Sequence, residues 1–157
     1  MNNNDILRRI RYAFDFSDSR MIEMFGQAGH QVTREEISDW LKKDEDPAFQ
    51  ICGDRLLAIF LNGLIVDRRG KLEGPQAAPE ERLSNNIVLR KLKIALDLKA
   101  EEMLEILASV NLRISKHELS AFFRKPDHKH YRVCKDQILR NFLDGVQLRY
   151  RGDETSA

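Results

Sequence analysis

The stretch "NNDILRRIRYAFDF", beginning at Asn3, returns as "NNIVLRKLKIALDL", beginning at Asn85. At that offset of 82 the correspondence runs without a gap from 3–70 to 85–152, which is 68 positions. Identical pairs include Leu7/Leu89, Arg8/Arg90, Ala13/Ala95, Asp15/Asp97, Met21/Met103, Glu23/Glu105, Glu36/Glu118, Cys52/Cys134, Phe60/Phe142 and Gly63/Gly145. Most other pairs exchange apolar for apolar, as in Trp40/Phe122 and Ile37/Leu119. Chance does not hold register over such a length, so the chain is two copies of one unit. Whatever fold one copy adopts, the other adopts too.

The unit reads as four helices. Ile6, Leu7, Ile10 and Phe14 recur at helical spacing, mirrored by Val88, Leu89, Leu92 and Leu96. Met21, Ile22, Phe25 and Ala28 form a second face, mirrored by Met103, Leu104, Leu107 and Val110. A third helix opens on a capping box, Thr33 with Glu36 and Ser115 with Glu118. Its apolar side is Ile37, Trp40 and Leu41 in one copy and Leu119, Phe122 and Phe123 in the other. The last helix starts at Asp54 and Asp136, which suit an N-cap, and carries Leu57, Phe60, Leu61 and Leu64 against Leu139, Phe142, Leu143 and Val146. No stretch alternates with period two for long enough to argue a strand. The expected fold is all-α, with two similar four-helix units at 3–70 and 85–152 joined by a linker at 71–84.

The linker, "KLEGPQAAPEERLS", has the Gly and Pro content of an exposed connection, and the tail "DETSA" reads as frayed. A unit of this size without disulfide or metal is marginal alone, so the copies are expected to pack on each other about a pseudo-twofold axis. The apolar fourth helix is the expected seam. Gly63 and Gly145 there suit either close helix approach or a helix C-cap. The paired asparagines at 3–4 and 85–86 read as helix caps.

A hydrophobic fraction of 42% beside 32% charged residues describes a globular chain. The N-terminus has no apolar signal core, and the longest apolar run, "LLAIFL", is far too short to span a membrane. Two cysteines without an export signal fit a reducing compartment. The cytoplasm is the expected location. Cys52 and Cys134 are expected to be free, buried and equivalent.

The ordered motifs "NNDILR", "WLKKDED", "FLNGL", "NNIVLRKLKIA" and "RKPDHKHYRVCKDQILRNFLDG" resemble the YehS-like bacterial proteins, over nearly the whole chain from Asn3 to Tyr150. That family is defined by a tandem domain of unknown function. The resemblance implies a bacterial cytoplasmic protein, and it brings no reaction, cofactor or catalytic residue with it.

The second copy holds a cluster that bears on chemistry. Asp127, His128, His130 and Cys134 fall within eight residues, and each side chain ligates transition metals when deprotonated. The first copy provides a control: His128 corresponds to Asp46 and His130 to Ala48, whereas Cys134 matches Cys52. A cysteine kept without the histidines is a small buried residue, so the stretch reads as a loop entering the last helix, with no metal expected. No phosphate-binding loop, nucleophile elbow, zinc-protease or dinucleotide motif is present, and no cofactor is expected. The repeated Arg8/Arg90, Asp15/Asp97 and Glu23/Glu105 read as salt bridges and caps, and His30 and His117 stand alone. A non-enzymatic protein is the expectation.

Charge separates the copies. Residues 3–70 hold 10 Lys and Arg against 12 Asp and Glu, a net of −2, while 85–152 hold 14 against 8, a net of +6. Such asymmetry points to nucleic acid or another acidic partner, although solvated faces also drift in charge. The second and third helices of each copy sit around a short turn, as in helix-turn-helix modules, though "ASVNLRIS" exceeds the usual turn. Lys116, His117, Ser120, Arg124 and Lys125 lie off the apolar face of the third helix, and Lys129 and Arg132 follow in the loop. These seven are the candidate nucleic-acid-binding residues. The first copy carries an acidic "DED" at the corresponding place, which repels phosphate. The alternative is a protein–protein docking module using the groove between copies, with Trp40 or Phe123 as anchors.

Overall fold

Asp15 and Asp97 both hold the left-handed conformation, at φ 53° and 52°. Each ends the first helix of its unit, where the aspartate tolerates a conformation that most residues resist. The next N–H groups fold back identically, Phe16 onto the Arg11 carbonyl and Leu98 onto the Lys93 carbonyl, both at 3.0 Å. The following turn repeats the device with different residues: Gly29 at φ 80° corresponds to Asn111 at φ 65°.

The computed structural model describes residues 1–71 and 73–155, with side chains through Arg151. The helices are α1 (Asn3–Phe14), α2 (Asp18–Gln27), α3 (Arg34–Leu41) and α4 (Asp54–Arg69) in the first unit. In the second they are α5 (Asn85–Ala95), α6 (Ala100–Ala108), α7 (Lys116–Ala121) and α8 (Asp136–Thr155). No strand occurs among the described residues, and the all-α tandem expectation stands. The backbone stays helical through Thr155, so α8 reaches further into the tail than expected, and residues 156–157 lie outside those described.

The expected capping boxes of α3 and α7 form, Thr33 with Glu36 and Ser115 with Glu118. The asparagine pairs are not caps. Asn2 and Ser84 cap α1 and α5 instead. Asn4 and Asn86 are buried and serve as internal clasps. The Asn4 amide donates to the Trp40 and Gln50 carbonyls, both at 2.9 Å, and its oxygen accepts the Cys52 N–H at 3.0 Å. Asn86 does the same to Phe122, Arg132 and Cys134 at 3.0, 2.8 and 2.9 Å. Asparagine fits because its amide offers two donors and an acceptor oxygen together on a short stem. Asn3 and Asn85 each donate to a carboxylate that starts the last helix, Asp54 and Asp136, both at 2.7 Å. Asp54 is therefore not an N-cap; Gly53 holds that place.

Gly63 and Gly145 lie within their helices, and neither is a C-cap. A Cβ at Gly63 would run into the Met24 carbonyl, and one at Gly145 into the carbonyl and side chain of Ile106. The close approach is thus inside each unit, α2 on α4 and α6 on α8. Cys52 and Cys134 are free and buried at equivalent places, as expected.

The units pack reciprocally. α1 lies against α8 and α4 against α5, while first and last helices of one unit make few contacts with each other. The fourth helix is a seam, as expected, but its partner is the first helix of the other unit. Cross-unit pairs repeat at the offset of 82 with the units exchanged: Arg69 on Asp97 matches Arg151 on Asp15, and Lys91 on Asn62 matches Arg9 on Asp144. The Leu83 N–H donates to Asp54 as the Met1 amine donates to Asp136. This is the pseudo-twofold relation. The linker does not simply hang free: Glu80 pairs with Lys91 at 3.0 Å and Glu81 with Arg55 at 3.3 Å, which lays part of it along the α4–α5 seam.

Candidate nucleic-acid interface

α7 is a short helix held at both ends. Its first turn is fixed by the Ser115–Glu118 box, in which the Ser115 N–H donates to the Glu118 carboxylate at 3.2 Å. That hydrogen bond is the main reason the Glu118 carboxyl titrates below its ordinary range, with the Ser115 hydroxyl, Arg132 and His117 adding to it. Beyond α7 the chain turns tightly, and the Arg132 N–H returns to the Ala121 carbonyl at 3.2 Å. This closure brings the loop cations back beside the helix.

As a result His117, Glu118 and Ala121 from α7 share a surface cavity of about 170 Å³ with Lys129, His130, Tyr131 and Arg132 from the loop. Three of the seven candidate residues, His117, Lys129 and Arg132, therefore meet in one place. Lys125, Lys129 and Arg132 are exposed, and none has a carboxylate at ion-pair distance among the described residues. The other candidates are placed differently. Lys116 is tied to Glu101 at 2.7 Å, which draws the Glu101 carboxyl below its ordinary value. The Ser120 hydroxyl donates back to the His117 carbonyl at 2.9 Å. Arg124 is half-buried, and its Nη1 is enclosed without a hydrogen-bond partner. Lys125 lies beyond the cavity lining.

Tyr131 and Glu118 were not legible as cavity residues. Tyr131 corresponds to Phe49 and looks like another aromatic of the repeat, while Glu118 reads only as a cap. The first unit offers no equivalent charge. His117, Lys129, His130 and Arg132 correspond there to Glu35, Pro47, Ala48 and Gln50.

The four metal-ligand candidates do not converge. Cys134 is fully buried, whereas Asp127, His128 and His130 are exposed. The His128 Nδ1 already accepts the His130 N–H at 3.0 Å, which removes one ligating nitrogen. Burial also pushes the Cys134 thiol up to about 12, with Asp136 adding to the shift, so its thiolate is disfavoured. No group of three metal-ligating side chains occurs among the described residues. The docking anchors fare no better. Trp40 is 5% exposed, inside the first unit's core, and Phe123 is half-buried with the Lys93 ammonium 5.1 Å from its ring centre.

No described helix is long and apolar enough to cross a membrane. A family model described as "Protein of unknown function (DUF1456)" matches the chain twice, over residues 3–70 and 85–152. The chain is also similar to "Uncharacterized protein YehS" of Escherichia coli (strain K12), with 44% identity over 150 residues, covering 95% of this chain and 96% of that relative. No solved structure matches the chain.

Proposed function

The chain belongs to the DUF1456 family of unknown function, and from that premise we propose that it is a nucleic-acid-binding module, not an enzyme, whose second unit holds a phosphate backbone. The observation that carries this reading is the meeting of His117, Lys129, His130 and Arg132 around one cavity, in the unit with a net charge of +6. Phosphate contacts demand exposed cations with no carboxylate at ion-pair distance, which among the described residues fits Lys125, Lys129 and Arg132. The first unit has the same backbone and lacks every one of the cavity's basic side chains, so the proposed contact is one-sided. Base-edge reading has less support, because α7 spans only Lys116–Ala121 and its Lys116 is engaged by Glu101. The proposed mode is backbone binding with little sequence preference. Docking of a partner protein through Trp40 or Phe123 has less support, because Trp40 is buried and Phe123 is half-buried beneath the Lys93 ammonium.

The test is fluorescence anisotropy of labelled duplex and single-stranded oligonucleotides across a salt series. Wild-type protein is expected to bind at low salt, with an apparent slope near −0.9 for each duplex phosphate neutralised. Lys129→Glu with Arg132→Glu should weaken binding to every sequence alike and reduce the slope by about 2. Absence of wild-type binding at tens of micromolar protein overturns the proposal, and binding unaffected by the double reversal moves the site elsewhere.

A further inference from the structure

The two seams of the molecule are built alike and finished differently. Between α4, α5 and the linker lies a cavity of about 370 Å³, within the range usual for small-molecule sites. Its apolar wall is Ile59, Ile65 and Val66 of α4 with Ile87 and Ile94 of α5. At the α1–α8 seam the residues corresponding to Ile59, Ile65, Ile87 and Ile94 are Asn141, Gln147, Asp5 and Tyr12. The packing of the repeat does not require isoleucines at these positions, since the same fold is made with polar residues at the other seam.

The charge is also finished differently. At the α1–α8 seam Arg9 is neutralised by Asp144, a carboxylate carried on the helix itself. The counterpart pair is Lys91 with Asn62, at 2.6 Å, so here the helix supplies a neutral oxygen and leaves the lysine charge unmatched. Lys91 is 8% exposed, and a buried ammonium needs a counter-charge. Glu80 of the linker provides it at 3.0 Å. Its Oε1 is enclosed there without a hydrogen bond of good geometry. Arg55, Arg90 and His30 also line the cavity, with the neutral Gln76, so Glu80 is the one acid among several bases in the described lining.

We infer that this inter-unit cavity binds a small amphipathic organic acid, whose aliphatic or aryl body lies on the isoleucine wall and whose carboxylate takes the place of Glu80 on Lys91. Glu80 is then an internal stand-in for the ligand's acid group. It sits on a connecting segment, so it can leave without disturbing a helix. The inference is independent of the nucleic-acid reading, which concerns α7 and the loop that follows it.

The probe is octanoate, with octanol as its uncharged counterpart, added to the full chain labelled at the isoleucine δ1 methyls. Saturable shifts are expected at Ile59, Ile65, Ile87 and Ile94, with octanoate binding about tenfold tighter than octanol, the worth of one charge-assisted hydrogen bond. Glu80→Gln should tighten octanoate several-fold and leave octanol unchanged, because the competing carboxylate is gone. Lys91→Met should abolish the preference for the acid, with helicity and Tm confirming its fold; should it not fold, Glu80→Gln decides alone. Three results overturn the inference: no saturable shift in either wild type or Glu80→Gln, equal affinity for acid and alcohol, or shifts spread equally to core methyls such as Ile6 and Ile37.

Discussion

Arg69 reaches across the seam to Asp97 at 2.5 Å and to the Ile94 carbonyl at 3.4 Å. Arg151 makes the corresponding contacts with Asp15 at 3.3 Å and the Tyr12 carbonyl at 2.7 Å. Each aspartate thus ends a first helix in a left-handed residue and receives the last helix of the other unit. The consequence is that neither unit is a finished domain: the face of α1 is covered by α8, and that of α5 by α4. Residues 1–70 expressed alone are expected to show helicity well below their share of the intact chain, or to pair with a second copy. Adding residues 83–152 should restore it, as read by circular dichroism and size-exclusion chromatography. Full native helicity of monomeric 1–70 would contradict reciprocal packing.

The asparagine clasps should be among the costliest positions to change. Asn86→Ala removes two donors and one acceptor from buried backbone groups, a loss of about 2–4 kcal/mol. Asn86→Asp should be no milder, because a carboxylate keeps the acceptor but faces two carbonyls. Asn4 should behave alike. Urea denaturation measures the change, and a cost under about 0.5 kcal/mol at either site, the level of an ordinary surface substitution, would deny the clasp.

Gly63→Ala should cost about 3 kcal/mol or more, since its Cβ meets the Met24 backbone, which cannot yield without moving α2. Gly145→Ala meets the Ile106 side chain as well as its carbonyl, and part of that obstacle can rotate away. The expected order of melting temperatures is wild type, then Gly145→Ala, then Gly63→Ala. An alanine stabilising at either site would mean that the helices stand further apart.

The two thiols make an alkaline prediction. Burial first, and then the carboxylates of Asp54 and Asp136, push Cys52 and Cys134 from the ordinary 9.0 up to about 12. The folded state therefore keeps protons that the unfolded chain releases. This contribution is fully present below about pH 9 and is lost as pH climbs toward 12, by at most ~1.4 kcal/mol per pH unit for each thiol. Cys52→Ala with Cys134→Ala should flatten the fall in urea midpoint between pH 9 and 10.5 relative to wild type. Native labelling by a thiol reagent should be slow at both positions and become complete on unfolding. Rapid native labelling of either would contradict its burial.

Much of the unit was readable from local rules. Capping boxes such as Thr33 with Glu36 depend on residues three apart, and apolar faces such as Met21, Ile22 and Phe25 depend on helical period; both are written into short stretches of chain. The offset of 82 added the control that separated Cys134, shared by both copies, from His128 and His130, which are not. Long-range partners were not readable. Asn4 and Asn86 look like caps because asparagine near a helix start usually is one, and only the returning chain brings the Trp40, Gln50 and Cys52 backbones to Asn4. Gly63 has no local signature that separates close approach from a cap, since the obstacle is a carbonyl on another helix. The cations at 129 and 132 were visible as charge, yet their meeting with His117 depends on a loop closure that no periodicity encodes. Sequence by itself determined the repeat, the helices and the sign of each unit, because these are properties of neighbours along the chain and of composition. Which helix covers which face, and which lysine lacks a helix-borne counter-charge, were decided by the tertiary structure, because burial and pairing across a seam join residues that the chain keeps far apart.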